Sequence, residues 1–184
     1  MSLEIVLGPM FSGKSSYLLS SIRRYKEIGW PVFVITSSLD KRYSNDPKIV
    51  NHNRESSNAD IAVNNLYDIP SEILNSKVII IEEGQFYKDL VPYVIELVET
   101  YEKHVIVAGL DGDASRKPFG SLLDLIPYAD SIVKLKALCK KCATEGLVKD
   151  ALFTSKKIHD NSIIDVGSSD KYEALCRTHY IDYN

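Results

Sequence analysis

Apolar residues occur along this chain in short continuous runs that alternate with stretches of helical periodicity. The runs predict buried strands at residues 3–7, 31–36, 77–81 and 104–108, with a weaker strand at 61–63. After the first run, apolar side chains recur every three or four residues from Ser15 to about Ile28, which predicts a helix that ends at Gly29.

The same patterns predict helices at residues 70–75, 90–101 and 122–126 and a strand at 131–138. Strands that are apolar throughout are typical of a parallel sheet with both faces covered. Since such strands alternate here with helices, the pattern favours an α/β fold.

The segment after the first strand fits the phosphate-loop pattern. Residues 8–15 read Gly-Pro-Met-Phe-Ser-Gly-Lys-Ser, which is a glycine, four residues and then Gly-Lys-Ser. In such a loop the backbone N–H groups turn inward around a polyphosphate, and the following helix directs its positive end at the same anion. Lys14 is expected to reach the terminal phosphates, and the Ser15 hydroxyl is expected to bind Mg²⁺. A plain turn or helix cap is the alternative, but the flanking strand and helix are the context that the motif requires.

The composition of the chain is consistent with the predicted α/β fold. The 184 residues are 45% hydrophobic and 26% charged, which is typical of one globular domain with a small appendage. The net charge of −3 argues against a general nucleic-acid coat, so no nucleic-acid partner is expected. We see no signal peptide and no apolar run near the length of a membrane span, so a cytoplasmic location without membrane contact is expected.

Two adjacent acids, Glu82 and Glu83, follow the strand predicted at residues 77–81. A carboxylate at a strand end downstream of a phosphate loop is where a metal-orienting group belongs. Neighbouring residues can point in different directions, so one acid is predicted to face the metal and the other a substrate hydroxyl. The alternative is that both acids cap the next helix, because acids are favoured at helix starts.

Two polar segments lie where a parallel sheet presents its ligand-binding loops. In residues 37–60, Arg42 is either a phosphate contact or a solvated loop arginine. In residues 109–120, Phe119 either packs into the core or stacks on a planar ligand.

The end of the chain carries two close pairs of metal-ligating residues. Cys139 and Cys142 form the first pair, Cys176 and His179 the second, and 33 residues separate them. Soft thiolate and imidazole ligands at these spacings are typical of a tetrahedral structural zinc site, whose four protein ligands leave no open position for catalysis. The alternative is three unrelated thiols and a surface histidine. Because all three cysteines of the chain belong to this set, no disulfide framework is predicted.

Taken together, these blocks resemble the thymidine kinase family of cellular and poxviral type, from about Glu4 to Tyr180. The residues that carry the resemblance are the phosphate loop at 8–15, Asp-Lys-Arg-Tyr at 40–43, Glu-Glu-Gly-Gln-Phe at 82–86, Leu-Asp-Gly at 110–112, Arg-Lys-Pro-Phe-Gly at 116–120 and Asp-Lys-Tyr at 170–172.

The resemblance implies a P-loop, RecA-like α/β domain at residues 1–136 and a zinc-ribbon and lasso domain at residues 137–184. It implies Mg²⁺-dependent transfer of the γ-phosphoryl of ATP to the 5′-hydroxyl of thymidine, giving dTMP. In this scheme Glu83 is the general base, and Lys14 and Arg42 complete the catalytic set. The residues implied to bind ATP and Mg²⁺ are Gly8, Pro9, Met10, Phe11, Ser12, Gly13, Lys14, Ser15, Ser16, Glu82 and Gln85. Those implied to bind the nucleoside are Met10, Phe86, Leu110, Phe119, Thr154, Val166, Gly167 and Tyr172.

The family also implies a lid at residues 143–175 that is anchored by zinc, a homotetramer, and feedback binding of dTTP. Two departures stand out: Glu82 replaces an Asp, and Ala114 replaces a Phe that many members have. The competing hypothesis is a phosphate-loop ATPase whose zinc ribbon acts on nucleic acid or on a protein partner. That hypothesis predicts a basic surface, which the acidic net charge counts against.

Overall fold

The computed structural model describes residues 1–39, 48–50, 56–157 and 171–183. Its strands, in chain order, are β1 (Ser2–Leu7), β2 (Val32–Ser37), β3 (Lys48–Val50), β4 (Ser56–Asn58), β5 (Ile61–Val63), β6 (Val78–Ile81), β7 (His104–Gly109), β8 (Ser131–Lys134), β9 (Ala137–Leu138), β10 (Asp150–Ala151), β11 (Phe153–Lys156) and β12 (Tyr172–Leu175). The helices are α1 (Lys14–Glu27), α2 (Leu90–Ile95), α3 (Lys140–Thr144) and α4 (Arg177–Tyr183).

Shorter helical segments lie between these strands and helices. A π-helical turn at Glu96–Thr100 continues α2, so the helix predicted at residues 90–101 is confirmed with a change of winding at its end. In the part of the chain that the structure describes, 3₁₀ segments lie at Leu66–Asp68, Ser71–Asn75, Gly84–Phe86 and Leu122–Tyr128. The helices predicted at 70–75 and 122–126 are therefore 3₁₀ rather than α. Among the described residues, no helix is long and apolar enough to cross a membrane.

A six-stranded sheet forms the centre of the molecule, in the order β5-β2-β6-β7-β1-β8. All five pairs of neighbouring strands are parallel. Successive side chains of a strand alternate between the two faces, and both faces here are buried. Val6, Ile80 and Ile106 pack with Leu18 and Ile22 of α1 on one face. On the other face, the core consists of Ile5, Ile79 and Val107 with Leu90 and Val94 of α2. The predicted α/β class, a parallel sheet flanked by helices, is confirmed.

Three loops meet at the carboxyl edge of this sheet. Because the strands are parallel, the segments that follow β1, β6 and β7 all leave from the same edge. These segments begin with Gly8, Glu82 and Leu110, respectively. Parallel sheets bind their ligands at this edge.

The prediction of one strand over residues 131–138 is wrong, because the strand there is shorter. β8 ends at Lys134, which pairs with Leu7, the last residue of β1. One more hydrogen bond follows, from Leu135 N to Leu7 O at 2.8 Å, and β1 ends at Leu7. The chain leaves the sheet, and Ala137–Leu138 becomes β9, which pairs antiparallel with β10. Together with the β11–β12 hairpin, α3 and α4, these strands make up the described part of the chain after the sheet, residues 137–157 and 171–183, here called the C-terminal module.

Candidate functional site

The phosphate loop joins β1 to α1 in a tight turn. Gly8 has φ 154°, and a Cβ atom there would lie 2.7 Å from both the Leu135 carbonyl oxygen and the Ser12 hydroxyl. No L side chain fits this space, which explains the first glycine of the motif. The Ser12 hydroxyl is buried and has no hydrogen-bond partner among the described residues. The hydroxyl lies on the inner side of the loop, next to Gly8.

Lys14 begins α1 and folds back over this loop. Its ammonium group donates to the carbonyl oxygens of Gly8 at 3.1 Å and Pro9 at 2.9 Å. Gly13, at the amino end of α1, has a left-handed backbone with φ 87°. The predicted residues Pro9, Ser12, Gly13 and Ser16 thus belong to one loop and the first turn of α1, where a positive charge and a helix N-terminus coincide.

A direct contact joins the phosphate loop to the end of β6. The Ser15 hydroxyl donates to Glu82 Oε1 at 2.7 Å, and the Glu82 side chain is only 7% exposed. Glu82 keeps the strand register, since its N–H donates to Ile35 O of β2 at 2.9 Å. Hydroxyl and carboxylate oxygens are the ligands that Mg²⁺ prefers. The two residue types present here therefore fit this ion.

Glu83 follows in a conformation that is uncommon for a non-glycine residue, with φ 55°. Gln85 donates from Nε2 to Glu83 Oε2 at 2.5 Å, while its Oε1 accepts from the Leu110 N–H at 3.0 Å. Gln85 is buried, and the Leu110 amide determines which way its side chain faces. The described contacts of Gln85 hold the Glu83 carboxylate in one orientation.

The residues predicted to surround the nucleoside fall into two groups. Phe86 and Phe119 meet edge to face with their ring centroids 5.6 Å apart, and Phe86 directly follows Gln85 in the chain. Met10 belongs to the second group, because its N–H donates to Thr154 Oγ1 at 2.9 Å. Tyr172 is buried at the start of β12, opposite Lys156 of β11. Arg42, Val166 and Gly167 lie outside the described residues.

Sequence reasoning missed the contacts that join the C-terminal module to the loop after β7. Arg116 lies over the rings of Tyr180 at 4.7 Å and Phe153 at 5.5 Å from the centroids. Tyr180 donates its hydroxyl to the Ala114 carbonyl at 2.5 Å. The only signal for these contacts was a cation in one segment and aromatic residues in another, so their pairing could not be read from the sequence.

The four predicted metal ligands come together. Their ligand atoms all lie within 4.8 Å of one another. His179 Nδ1 is 3.4 Å from the sulfurs of Cys139 and Cys142 and 3.6 Å from that of Cys176, and the Cys142 and Cys176 sulfurs are 3.9 Å apart. Tetrahedral zinc with Zn–S of about 2.3 Å and Zn–N of about 2.0–2.1 Å requires separations of about 3.6 to 3.8 Å. The donor set and its spacing therefore fit a structural zinc ion, and Nδ1 is the imidazole atom that faces the sulfurs.

The pKa values of Cys139 and Cys142 are shifted in opposite directions. Burial raises the pKa of Cys139, but hydrogen bonds from the backbone of Cys142 and Cys176, together with those from the His179 and Cys142 side chains, outweigh it and bring the pKa to about 6. Burial, together with the neighbouring thiols, raises the pKa of Cys142 to about 11. The hydrogen bond with Cys139 raises the pKa of His179. A thiolate at Cys142 beside the one at Cys139 is therefore disfavoured unless a cation compensates the charge, as a zinc ion does.

Glu145 supports this cluster from outside. Its Oε1 lies 3.3 Å from His179 Nε2, the ring nitrogen opposite the one that faces the sulfurs. A carboxylate in this position fixes the orientation of a metal-binding imidazole. Nothing in the spacing of the four ligands pointed to Glu145.

Comparison with known proteins identifies the chain's relatives. The family described as "Thymidine kinase" matches residues 1–180. The chain belongs to the thymidine kinase family. The predicted resemblance is thereby confirmed over nearly the whole sequence.

Individual members of the thymidine kinase family match at similar levels. The chain is 39% identical to the human protein named "Thymidine kinase, cytosolic" over 178 residues, which is 97% of this chain and 72% of the human protein. It is 37% identical to the thymidine kinase of Vaccinia virus (strain Western Reserve) over 180 residues, covering 98% of this chain and 97% of the viral protein. It is 40% identical to that of Yaba monkey tumor virus over 183 residues, covering 99% and 96%.

Proposed function

We propose that this member of the thymidine kinase family transfers the γ-phosphoryl group of ATP to the 5′-hydroxyl of thymidine, giving dTMP. The observation that carries the proposal is the hydrogen bond between Ser15 and Glu82. It holds the phosphate loop against the first of the two acids that follow β6, which supports a metal site there with the proposed base at the next residue. Family membership over residues 1–180 supports the choice of reaction.

The phosphate loop is proposed to bind the donor. Its backbone N–H groups and the amino end of α1 attract the phosphates, and Lys14 exchanges its contacts with Gly8 and Pro9 for phosphate oxygens. Arg42 is proposed, on the family resemblance alone, to offset charge on the transferring group. In phosphoryl transfer, positioning and electrostatic stabilisation account for nearly all of the catalysis.

Ser15 and Glu82 are proposed to hold Mg²⁺, which when bound neutralises charge on the phosphate oxygens. Their oxygens already lie 2.7 Å apart, which is close to the spacing of neighbouring ligands around one octahedral Mg²⁺ ion. Because Glu82 is nearly buried, its oxygen is fixed rather than free to rotate in solvent.

Glu83 is proposed to accept the proton of the 5′-hydroxyl. A base must lie within hydrogen-bond reach of the proton it takes, so its orientation matters as much as its basicity. Gln85 supplies that orientation through its contacts with Glu83 and the Leu110 amide. We therefore assign Gln85 the role of positioning the base, and its predicted contact with ATP or Mg²⁺ stays a prediction.

The nucleoside is proposed to bind between the Phe86–Phe119 pair and the segment around Met10 and Thr154. Leu110, Val166, Gly167 and Tyr172 are assigned to the same pocket from the family resemblance. The division into domains at residues 1–136 and 137–184, the homotetramer, feedback by dTTP and a cytoplasmic location are likewise proposals from the family.

A nucleoside assay tests the reaction. The zinc-loaded protein is incubated with ATP, Mg²⁺ and each of the common nucleosides in turn, and the monophosphate is separated by chromatography. We expect dTMP from thymidine, and we expect Glu83→Gln to lower kcat by about 10² to 10⁴-fold while ATP still binds, since a general base contributes that much. Glu99→Gln, at an exposed position of the π-helical turn, is the matched control and is expected to leave kcat unchanged. ATP consumption that is indifferent to thymidine would reject the kinase and favour the phosphate-loop ATPase.

A further inference from the structure

Phe11 of the phosphate loop has an unusual backbone and an unusual neighbour. Its φ of 65° lies in the left-handed region, which bulky residues rarely adopt. Its side chain packs against the apolar cluster of the C-terminal module, which contains Cys139, Cys142 and Cys176. A sparsely populated conformation persists only where the surroundings impose it. The packing of Phe11 against the cysteine cluster is one such surrounding.

A hydrogen bond joins the loop to the module at the adjacent residue. Met10 N–H donates to Thr154 Oγ1 at 2.9 Å, and Thr154 is 5% exposed. Backbone N–H groups of a phosphate loop have to point at the phosphates or be held by other acceptors. Thr154 therefore determines where one of these donors points.

The path from these contacts to the metal ligands is short. Thr154 lies on β11, which pairs with β12, and the residue after β12 is Cys176. His179 follows on α4, where Tyr180 packs against Phe153 of β11 with ring centroids 5.1 Å apart. The zinc ligands therefore belong to the same small packed unit that the phosphate loop contacts.

We propose that Phe11 and Thr154 are positioning residues that couple zinc binding in the C-terminal module to ATP binding at the phosphate loop. The inference rests on the proposed function, because it requires that the loop bind ATP. Zinc would then do more than anchor a lid over the nucleoside: it would help to hold the loop in the shape that receives phosphates.

Coupling of this kind is reciprocal. If zinc tightens ATP binding by some factor, ATP must tighten zinc binding by the same factor, and such factors are commonly about 5 to 150-fold. A merely structural zinc site, remote from the donor loop, would hold zinc equally well with and without ATP.

The test is the equilibrium dissociation constant of zinc, measured by competition with a calibrated chelator, with and without saturating ATP. Mg²⁺ is kept in excess so that ATP does not itself bind zinc, and thymidine is left out so that no turnover occurs. We expect saturating ATP to lower the zinc dissociation constant of the wild-type chain by about tenfold. The ratio of the zinc dissociation constant without ATP to that with ATP is thus about ten in the wild-type chain. We expect Phe11→Ala, and separately Thr154→Val, to bring this ratio to within about twofold of one.

Phe33→Ala is the matched control. Phe33 lies on β2, is partly buried and packs against the sheet core rather than the C-terminal module. Its truncation should lower stability while leaving the ratio near tenfold. Should Phe11→Ala fail to fold, Thr154→Val still tests the proposal, because it keeps the shape of the side chain and removes only the hydroxyl acceptor.

A ratio of one in the wild-type chain would overturn the proposal, and so would a ratio that neither variant changes. Absence of ATP binding in a direct titration of the wild-type chain would overturn the proposed function and this inference with it. ATP binding with no effect on zinc would overturn this inference alone.

Discussion

At the scale of single residues, Glu82 is the departure with the clearest consequence. The family resemblance places an Asp at this position, and the Glu82 side chain is longer by one methylene. In the structure the extra methylene lets Oε1 reach the Ser15 hydroxyl at 2.7 Å. The loop and the strand end are therefore spaced for a glutamate.

We expect Glu82→Asp to lower kcat, although Asp is the residue that the family resemblance places at this position. Shortening the side chain by one carbon withdraws its oxygen by about 1.5 Å. A misplacement of this size can lower kcat by about a hundredfold. The measurement is kcat as a function of Mg²⁺ concentration, in which we expect both a lower plateau and a higher Mg²⁺ requirement.

Glu72→Asp provides the comparison, because Glu72 is an exposed acid in the 3₁₀ segment Ser71–Asn75. We expect this change to leave the kcat plateau and the Mg²⁺ requirement as they are in the wild-type chain. If Glu82→Asp matches the wild-type chain in plateau and in Mg²⁺ requirement, then Glu82 does not hold the metal.

At the scale of elements, the predictable features were those set by local pattern. Continuous apolar runs predicted the strands of the central sheet because a strand with both faces buried has no polar positions. The end of β8 was not predictable, since it depends on where β1 stops. The role of Gln85 depends on an amide 25 positions along the chain, at Leu110, and no spacing rule connects them.

The loop after β7 is expected to position the proposed base through Gly120. Gly120 has φ 62°, and a Cβ atom there would collide with the backbone carbonyl of Gln85. We expect Gly120→Ala to displace Gln85 and with it the Glu83 carboxylate. The result should be a loss of stability in urea and a fall in kcat of at least about tenfold, because catalysis depends on ångström-scale placement.

Gly29→Ala is the control for Gly120→Ala, because it introduces left-handed backbone strain without a collision. Gly29 has φ 73°, but a Cβ atom there would meet nothing within 4 Å. Left-handed strain alone costs about 1–2 kcal/mol, so this variant should lose stability with kcat intact. Equal kcat values for the two variants would mean that Gly120 has no part in positioning the base.

At the scale of the whole molecule, the sequence was sufficient to predict the parallel sheet and the clustering of Cys139, Cys142, Cys176 and His179. It did not predict how the C-terminal module docks. That arrangement depends on contacts such as Met10 with Thr154 and Arg116 with Tyr180, which join segments far apart in the chain. Neither partner of these pairs has a pattern that indicates the other.

The C-terminal module should depend on metal far more than the sheet does. Its apolar cluster has eight buried residues, and three of these are the cysteines themselves: Ala137, Cys139, Cys142, Ala151, Ala174, Leu175, Cys176 and Tyr180. A core of this size is too small to order a unit unaided. A structural zinc ion contributes about 10–16 kcal/mol of apparent binding free energy in small domains.

Removal of zinc is therefore expected to unfold the module first. We expect limited proteolysis after chelation to cut within residues 137–157 and 171–183, while hydrogen exchange remains slow in β1, β6 and β7, whose two core clusters contain no residue of the module. Cys176→Ser should reproduce this result without chelator, and returning zinc to the chelated wild-type chain should reverse it. Simultaneous loss of protection in the sheet and the module would mean that the two fold as one cooperative unit, and that zinc stabilises the entire molecule.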